Sequence, residues 1–198
     1  MAQTASPYGL RPVQLLGGLP FAGAIRSFPM TLNSAKAFFF GDPVALVGGQ
    51  PTVLTGSPIT TVNANSPVGV FMGCEWQDPV RGFLNAQSFP ANGISSGATK
   101  VKFKILDCPT CVFMVQANGS VPAASLGLNT DILGFGTGNA ATGNSLVVAD
   151  AAAAVTATLA LKIIGFVDQP GSQVGDPFTD LLVIWNQNVH RWVAQAGF

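Results

Sequence analysis

The sequence predicts an all-β protein, a sandwich or barrel-like domain with long loops. Three observations carry this. Gly and Pro, 23 and 14 of the 198 residues, are spread evenly and cut the chain into short segments. Those segments are rich in Val, Ile, Phe and Thr, which fit a half-buried pleated surface. One of them, Lys100-Val-Lys-Phe-Lys-Ile105, alternates lysine and apolar residues without exception, which is a period of two.

The first stretch, Met1–Leu16, is not helical, because Pro7, Gly9, Pro12 and the following Gly17-Gly18 interrupt every turn. It also lacks a basic residue ahead of an apolar run, so it does not read as a signal peptide. It reads as an extended N-terminal arm, residues 1–16, followed by a β domain, residues 17–198. Tyr8, Leu10, Arg11 and Leu15 are its candidate assembly contacts: apolar anchors plus a guanidinium able to hold a partner carboxylate or carbonyl. The competing expectation is that Leu10 and Val13 belong to an ordinary first strand.

Further strands are expected at Ala37–Phe40, Val44–Val47, Val68–Gly73, Leu146–Val148, Thr158–Val167 and Leu181–Asn186. The Lys100–Ile105 strand should bury Val101, Phe103 and Ile105 and leave its lysines in water. Asp107-Cys-Pro-Thr110 then reads as a turn, with Cys111–Gln116 returning as the partner strand of a hairpin. Asp150 before Ala151–Ala154 is able to cap one short helix. Two faint echoes, Gly69–Pro79 with Ile163–Pro170 and Gly41–Pro43 with Gly175–Pro177, fit either duplicated hairpins or the shared chemistry of strand ends.

Charge separates the possible functions. Charged residues make up 9% of the chain, against about 25% in ordinary globular proteins. Nine Lys and Arg balance nine Asp and Glu, so there is no basic excess for nucleic acid. No uninterrupted apolar run reaches the roughly 18 residues of a membrane helix, despite a mean hydropathy of +0.42. A neutral, charge-poor surface is best accounted for if other subunits cover much of it, which leads to the expectation of a homo-oligomer, a trimer first.

No catalytic constellation is legible. Cys108-Pro-Thr-Cys111 has the spacing of a zinc or redox pair, but only Cys74 and His190 are left as further ligands, and a thioredoxin-like context is lacking. The pair therefore reads as structural. His190 is the single histidine, and no Gly-x-Ser-x-Gly elbow accompanies it. Gly136-Thr-Gly-Asn-Ala-Ala141 matches a loose dinucleotide pattern, but without the strand before and helix after it reads as a surface loop, Gly134–Asn144. The aspartates beside Pro or Gly are turn residues. The expectation is a protein that is not an enzyme, with no cofactor and no metal.

Several stretches resemble small head proteins of tailed bacteriophages: Ala5-Ser-Pro-Tyr-Gly-Leu-Arg-Pro-Val13, Gly41-Asp-Pro-Val-Ala-Leu-Val47 and Gly69-Val-Phe-Met-Gly-Cys74. Val115-Gln-Ala-Asn-Gly119 and the block from Thr158 through Gly165-Phe-Val-Asp-Gln-Pro-Gly-Ser172 to Asp180 join them. The resemblance implies a virion structural protein, a decoration or cement protein made in the host cytoplasm. It would bind the outside of the major capsid shell, commonly as a trimer at local threefold positions, with no catalytic residues to carry over. The alternatives are another phage component, such as a tail or portal adaptor, or a glycan-binding β module displaying the Gly134–Asn144 loop.

Overall fold

The computed structural model describes residues 4–31, 34–54, 66–94 and 97–193. Its strands are β1 (Arg11–Leu15), β2 (Ile25–Pro29), β3 (Pro43–Val47), β4 (Gln50–Val53), β5 (Pro67–Asp78), β6 (Gly82–Ala86) and β7 (Thr99–Leu106). These are followed by β8 (Cys111–Gln116), β9 (Asn129–Thr130), β10 (Ile132–Leu133), β11 (Val148–Ala149), β12 (Leu161–Phe166) and β13 (Asp180–Trp185). Two main antiparallel sheets form a sandwich-like fold, and no closed barrel occurs among the described residues. One sheet runs β1-β8-β13-β12-β9; the other runs β2-β7-β5-β3-β4, with β6 also on β5.

The core has two parts. Between the sheets, Leu10, Phe113, Leu161, Ile163, Leu181, Val183 and Trp185 meet Ala45, Val70 and Leu106. On the far face of the second sheet lies an aromatic cluster in which Phe103 takes Phe38, Phe71 and Phe89 at centroid distances of 4.7, 5.0 and 4.9 Å. The tilted, edge-on rings follow the attraction between ring edges and faces. With both faces covered, β5 is apolar almost throughout and shows no strict alternation.

The β7 strand has the expected sidedness: Val101, Phe103 and Ile105 are buried, Lys100 and Lys102 are exposed, and Lys104 reaches Glu75 at 3.1 Å. Its expected hairpin with Cys111–Gln116 does not form. The flanks of β7 are already taken by β2 and β5, so no edge remains for β8. The turn 107–110 instead carries the chain across to the other sheet, where β8 lies between β1 and β13. Local alternation identified both strands; the pairing was decided by contacts distant in sequence.

Other differences have equally local causes. Residues 151–154 form no helix: Ala154 exchanges backbone hydrogen bonds with Asn129 at 2.8 Å in both directions, and the Asp150 carboxylate caps only the Ala152 amide at 3.1 Å. The single helical turn described is a 3-10 turn at Ala123–Ser125. Ala37–Phe40 contributes isolated bridges, Phe38 to Phe89 and Phe40 to Asn144, in place of a strand. The Gly41–Pro43 and Gly175–Pro177 echoes occupy unlike places, since Asp42 is fully buried while Asp176 sits in an exposed turn.

The sheet edges are blunted against strand addition. β1 carries Pro12 and a register shift between Pro12 and Gln14, β2 ends at Pro29, β4 contains Pro51, and β9 is two residues long. The lower half of β1 is also covered by the chain returning on itself, with the Leu15 amide bonded to the Leu19 carbonyl at 2.8 Å. Proline removes ladder donors and a bulge twists an edge away, so contacts with other chains at these four edges would rest on side chains.

Candidate functional site

The N-terminal segment is tied to the domain before β1 begins. The Ser6 amide donates to the Gln116 side-chain carbonyl at 2.7 Å, and the Tyr8 hydroxyl donates to Asp180 at 2.9 Å. Gln116 and Asp180 are paired residues of β8 and β13, so the segment crosses the end of the first sheet. Burial, reinforced by the Asp180 charge and its hydrogen bond, pushes the Tyr8 phenol well above its ordinary range and keeps it a neutral donor.

The chain then meets a backbone knot. Gly9 and Gly41 have φ of +75 and +94, and a Cβ on Gly41 would lie 3.0 Å from the Leu10 amide nitrogen. That close approach lets the Leu10 amide bond the Gly41 carbonyl at 3.0 Å, while the Gly41 amide bonds the Phe71 carbonyl at 2.9 Å. The Phe71 amide in turn bonds the Asp42 carbonyl at 2.8 Å. Ala5–Val13, Gly41–Val47 and Gly69–Cys74 are thus laced together by main-chain hydrogen bonds. Inside the knot the Asp42 carboxylate accepts from the Phe39 amide at 2.9 Å and from the Ser145 hydroxyl. Its burial dominates those bonds and raises its pKa to about 6.

The four expected contact residues therefore go to different places. Leu10 is fully buried in the core between the sheets, which corrects its assignment as a partner anchor. The arm boundary at 16/17 is also corrected: Arg11–Leu15 is the edge strand β1, because Leu10 and Leu15 find their apolar cover on their own domain. Residues 1–3 at the head of that arm lie outside the described residues. Tyr8 and Arg11 remain at the surface, half-buried, with the guanidinium 5.0 Å from the Tyr8 ring centroid.

Tyr8 and Arg11 line a cleft of about 430 Å³ whose other wall is Asn139, Thr142, Asn144 and Leu146. Nothing local in the sequence links this loop to the N-terminal segment, since 131 positions separate Tyr8 from Asn139. The Asn139 side-chain carbonyl is occupied by the Ala141 and Thr142 amides at 2.9 and 3.3 Å, so its free group is the NH2 donor. Arg11 makes no ion pair among the described residues, and its Nε is buried without a hydrogen-bond partner. The cleft thus offers donors and a positive charge, and suits an acceptor-rich group carrying negative charge.

The other sequence candidates are placed apart from this cleft. Cys111 is buried, with its thiol pushed up to about 12 by burial, and Cys108 is half-buried beside the Thr110 hydroxyl at 3.2 Å. His190 is buried against Trp185, with ring centroids 5.9 Å apart. Burial lowers its pKa to about 4 and holds the ring neutral. Near it, Asp107 at the β7–β8 corner receives Arg26 and the Trp192 indole N–H, the latter at 3.0 Å. Among the described residues, no three His, Cys, Asp or Glu side chains are grouped to hold a metal ion. Comparison with protein-family models, with curated proteins and with solved structures finds no match to this chain.

Proposed function

We propose that the chain is a virion structural protein of a tailed bacteriophage, a decoration protein that binds the outside of the major capsid shell and stabilises it. In this reading it works by association, as a homo-oligomer and most simply a trimer, with no catalytic step. The observation that carries the reading is the surface. Charge is scarce, and apolar side chains stand exposed: Val80 is 90% exposed, Val155 85%, Leu19 62% and, at the start of β6, Phe83 61%. A small hairpin tip presents two of them, and the Asp78 carboxylate fixes it by accepting from the Val80 and Arg81 amides at 2.9 and 2.8 Å. Rigid apolar tips lose little entropy when they enter a partner's pockets.

The knot that joins three of the phage-like stretches supports the same reading, since those stretches act here in holding the frame of the fold. A glycan-binding role draws less support. Phe135, the aromatic of the 134–144 loop, packs inward against both core clusters, and Arg11 covers the Tyr8 ring. The test is to mix the purified chain with capsids lacking it. Co-sedimentation to a fixed stoichiometry, with a raised capsid melting temperature, is the expected result. Saturating protein that leaves both sedimentation and capsid melting unchanged would refute the proposal.

A further inference from the structure

The cleft at Arg11 has a counterpart elsewhere on the chain. The acidic side chains are nearly all engaged. Asp42, Asp107 and Asp180 are buried with partners, while Glu75 and Asp78 are ion-paired to Lys104 and Arg81. Asp131, Asp150 and Asp176 accept from nearby backbone amides. Asp168 is the exception: it is exposed and has neither a hydrogen bond nor an ion pair to its side chain among the described residues.

Asp168 stands at the base of a rigid, projecting turn. Gln169 and Ser172 exchange backbone hydrogen bonds at 3.1 and 2.9 Å around Pro170 and Gly171. Gly171 has φ of +96, as a type II turn requires after proline. Residues 168–171 are all exposed. The turn follows β12, whereas the Arg11 cleft flanks β1. Those strands are three places apart in one sheet, roughly 14 Å at the usual strand spacing. Both lie toward the sheet end marked by Asp180, whose carboxylate accepts from Tyr8 at 2.9 Å and whose carbonyl accepts from the Val167 amide at 3.0 Å, so a single copy presents the knob and the hole as two separate surfaces.

We infer that the Arg11 cleft receives the Asp168–Gly171 turn of a second copy of this chain, with the Asp168 carboxylate on the Arg11 guanidinium. The free cation of one side then meets the free anion of the other, and the donor-lined wall at Asn139 faces the exposed carbonyls of the turn. Such a contact is head-to-tail, uses two different surfaces, and closes into a ring when the rotation permits. The inference rests on the proposed oligomer and supplies its contact. Asp180, behind the Tyr8 ring, opposes an incoming carboxylate, so the ion pair selects the partner's orientation more than it adds affinity.

The test is reciprocal charge reversal in the full chain, read by sedimentation equilibrium at 0.1 and 0.5 M salt. Arg11→Asp and Asp168→Arg are each expected to raise the self-dissociation constant by about tenfold or more at low salt, and less at high salt. The double variant R11D/D168R is expected to recover much of the wild-type association, which misfolding of either single variant would not allow. Wild-type chain that stays monomeric, or single variants that associate like the wild type, would overturn the inference. So would a double variant no better than the singles. Capsid co-sedimentation of the same proteins keeps the readings distinct. Loss of capsid binding in Arg11→Asp with self-association intact would assign the cleft to a shell carboxylate and overturn self-pairing. Intact self-pairing without capsid binding would refute only the proposed function.

Discussion

Replacing Asp42 by Asn isolates one buried charge and its effect on pH dependence. Asp42 has no exposure, and burial lifts its pKa from 3.8 to about 6. Between those two values the folded chain holds a proton that the unfolded chain has released. Stability from this group is therefore full below pH 3.8 and is lost as pH rises to 6, a change of about 3 kcal/mol. His190 works in the opposite sense. Burial lowers it from 6.5 to about 4, so the unfolded chain holds the extra proton in that window. Its contribution is full above pH 6.5 and falls by about 3 kcal/mol on acidification to pH 4. The two contributions nearly cancel in the wild type, with Asp131, also raised by burial, adding to the Asp42 side. Asparagine keeps an acceptor for the Phe39 amide and cannot titrate. Urea unfolding followed by tryptophan fluorescence at pH 4, 5, 6 and 7 reads the outcome. The wild-type stability minus that of Asp42→Asn is expected to fall by about 2 kcal/mol from pH 4 to pH 7, and His190→Gln is expected to give the opposite slope. Parallel profiles for wild type and Asp42→Asn would show that Asp42 does not titrate differently in the folded chain.

Phe103→Ala empties the middle of the four-ring cluster and is expected to cost about 3–5 kcal/mol by the same unfolding assay, since the ring touches three others and its site cannot collapse. Gly41→Ala forces a side chain into positive φ against the Leu10 backbone, and is expected to lower stability by about 2 kcal/mol or more. Titration of the native chain with a thiol reagent near pH 8 is expected to modify Cys108 quickly and to leave Cys74 and Cys111 slow, because burial pushes both of those thiols up to about 12. Three fast thiols in the folded protein would count against the placement of the last two.

Much of the strand content was legible because burial imposes a period of two wherever only one face is covered, as in β7. Strands of the doubly covered sheet were found instead as apolar runs, and β3 and the head of β5 fell close to where Val and Phe density placed them. What failed was pairing. The β7–β8 turn has ordinary hairpin chemistry, and only the occupation of β7 by β2 and β5 shows that it joins two sheets. β2 and β6 were not anticipated, because Ile25-Arg-Ser-Phe-Pro29 is short and mostly exposed, and Gly82-Phe-Leu-Asn-Ala86 is a short, half-exposed edge segment with little apolar signal. The site was legible in part. Tyr8 and Arg11 stand out as an aromatic and a cation in a charge-poor chain, but their neighbours Asn139 and Thr142 carry no signal until the fold brings the loop across. Leu10 was misplaced because Pro and Gly on either side mask a core residue as part of an arm.

Stoichiometry and position in purified particles decide whether this chain is the virion component proposed above. Quantitative mass spectrometry of gradient-purified particles from cells that produce the chain, with cryo-electron microscopy of the same particles, gives both. The expected result is a fixed ratio to the major shell protein and β-sandwich density on the outer surface, grouped around local threefold positions. A chain abundant in the infected cell but missing from the particles would contradict it.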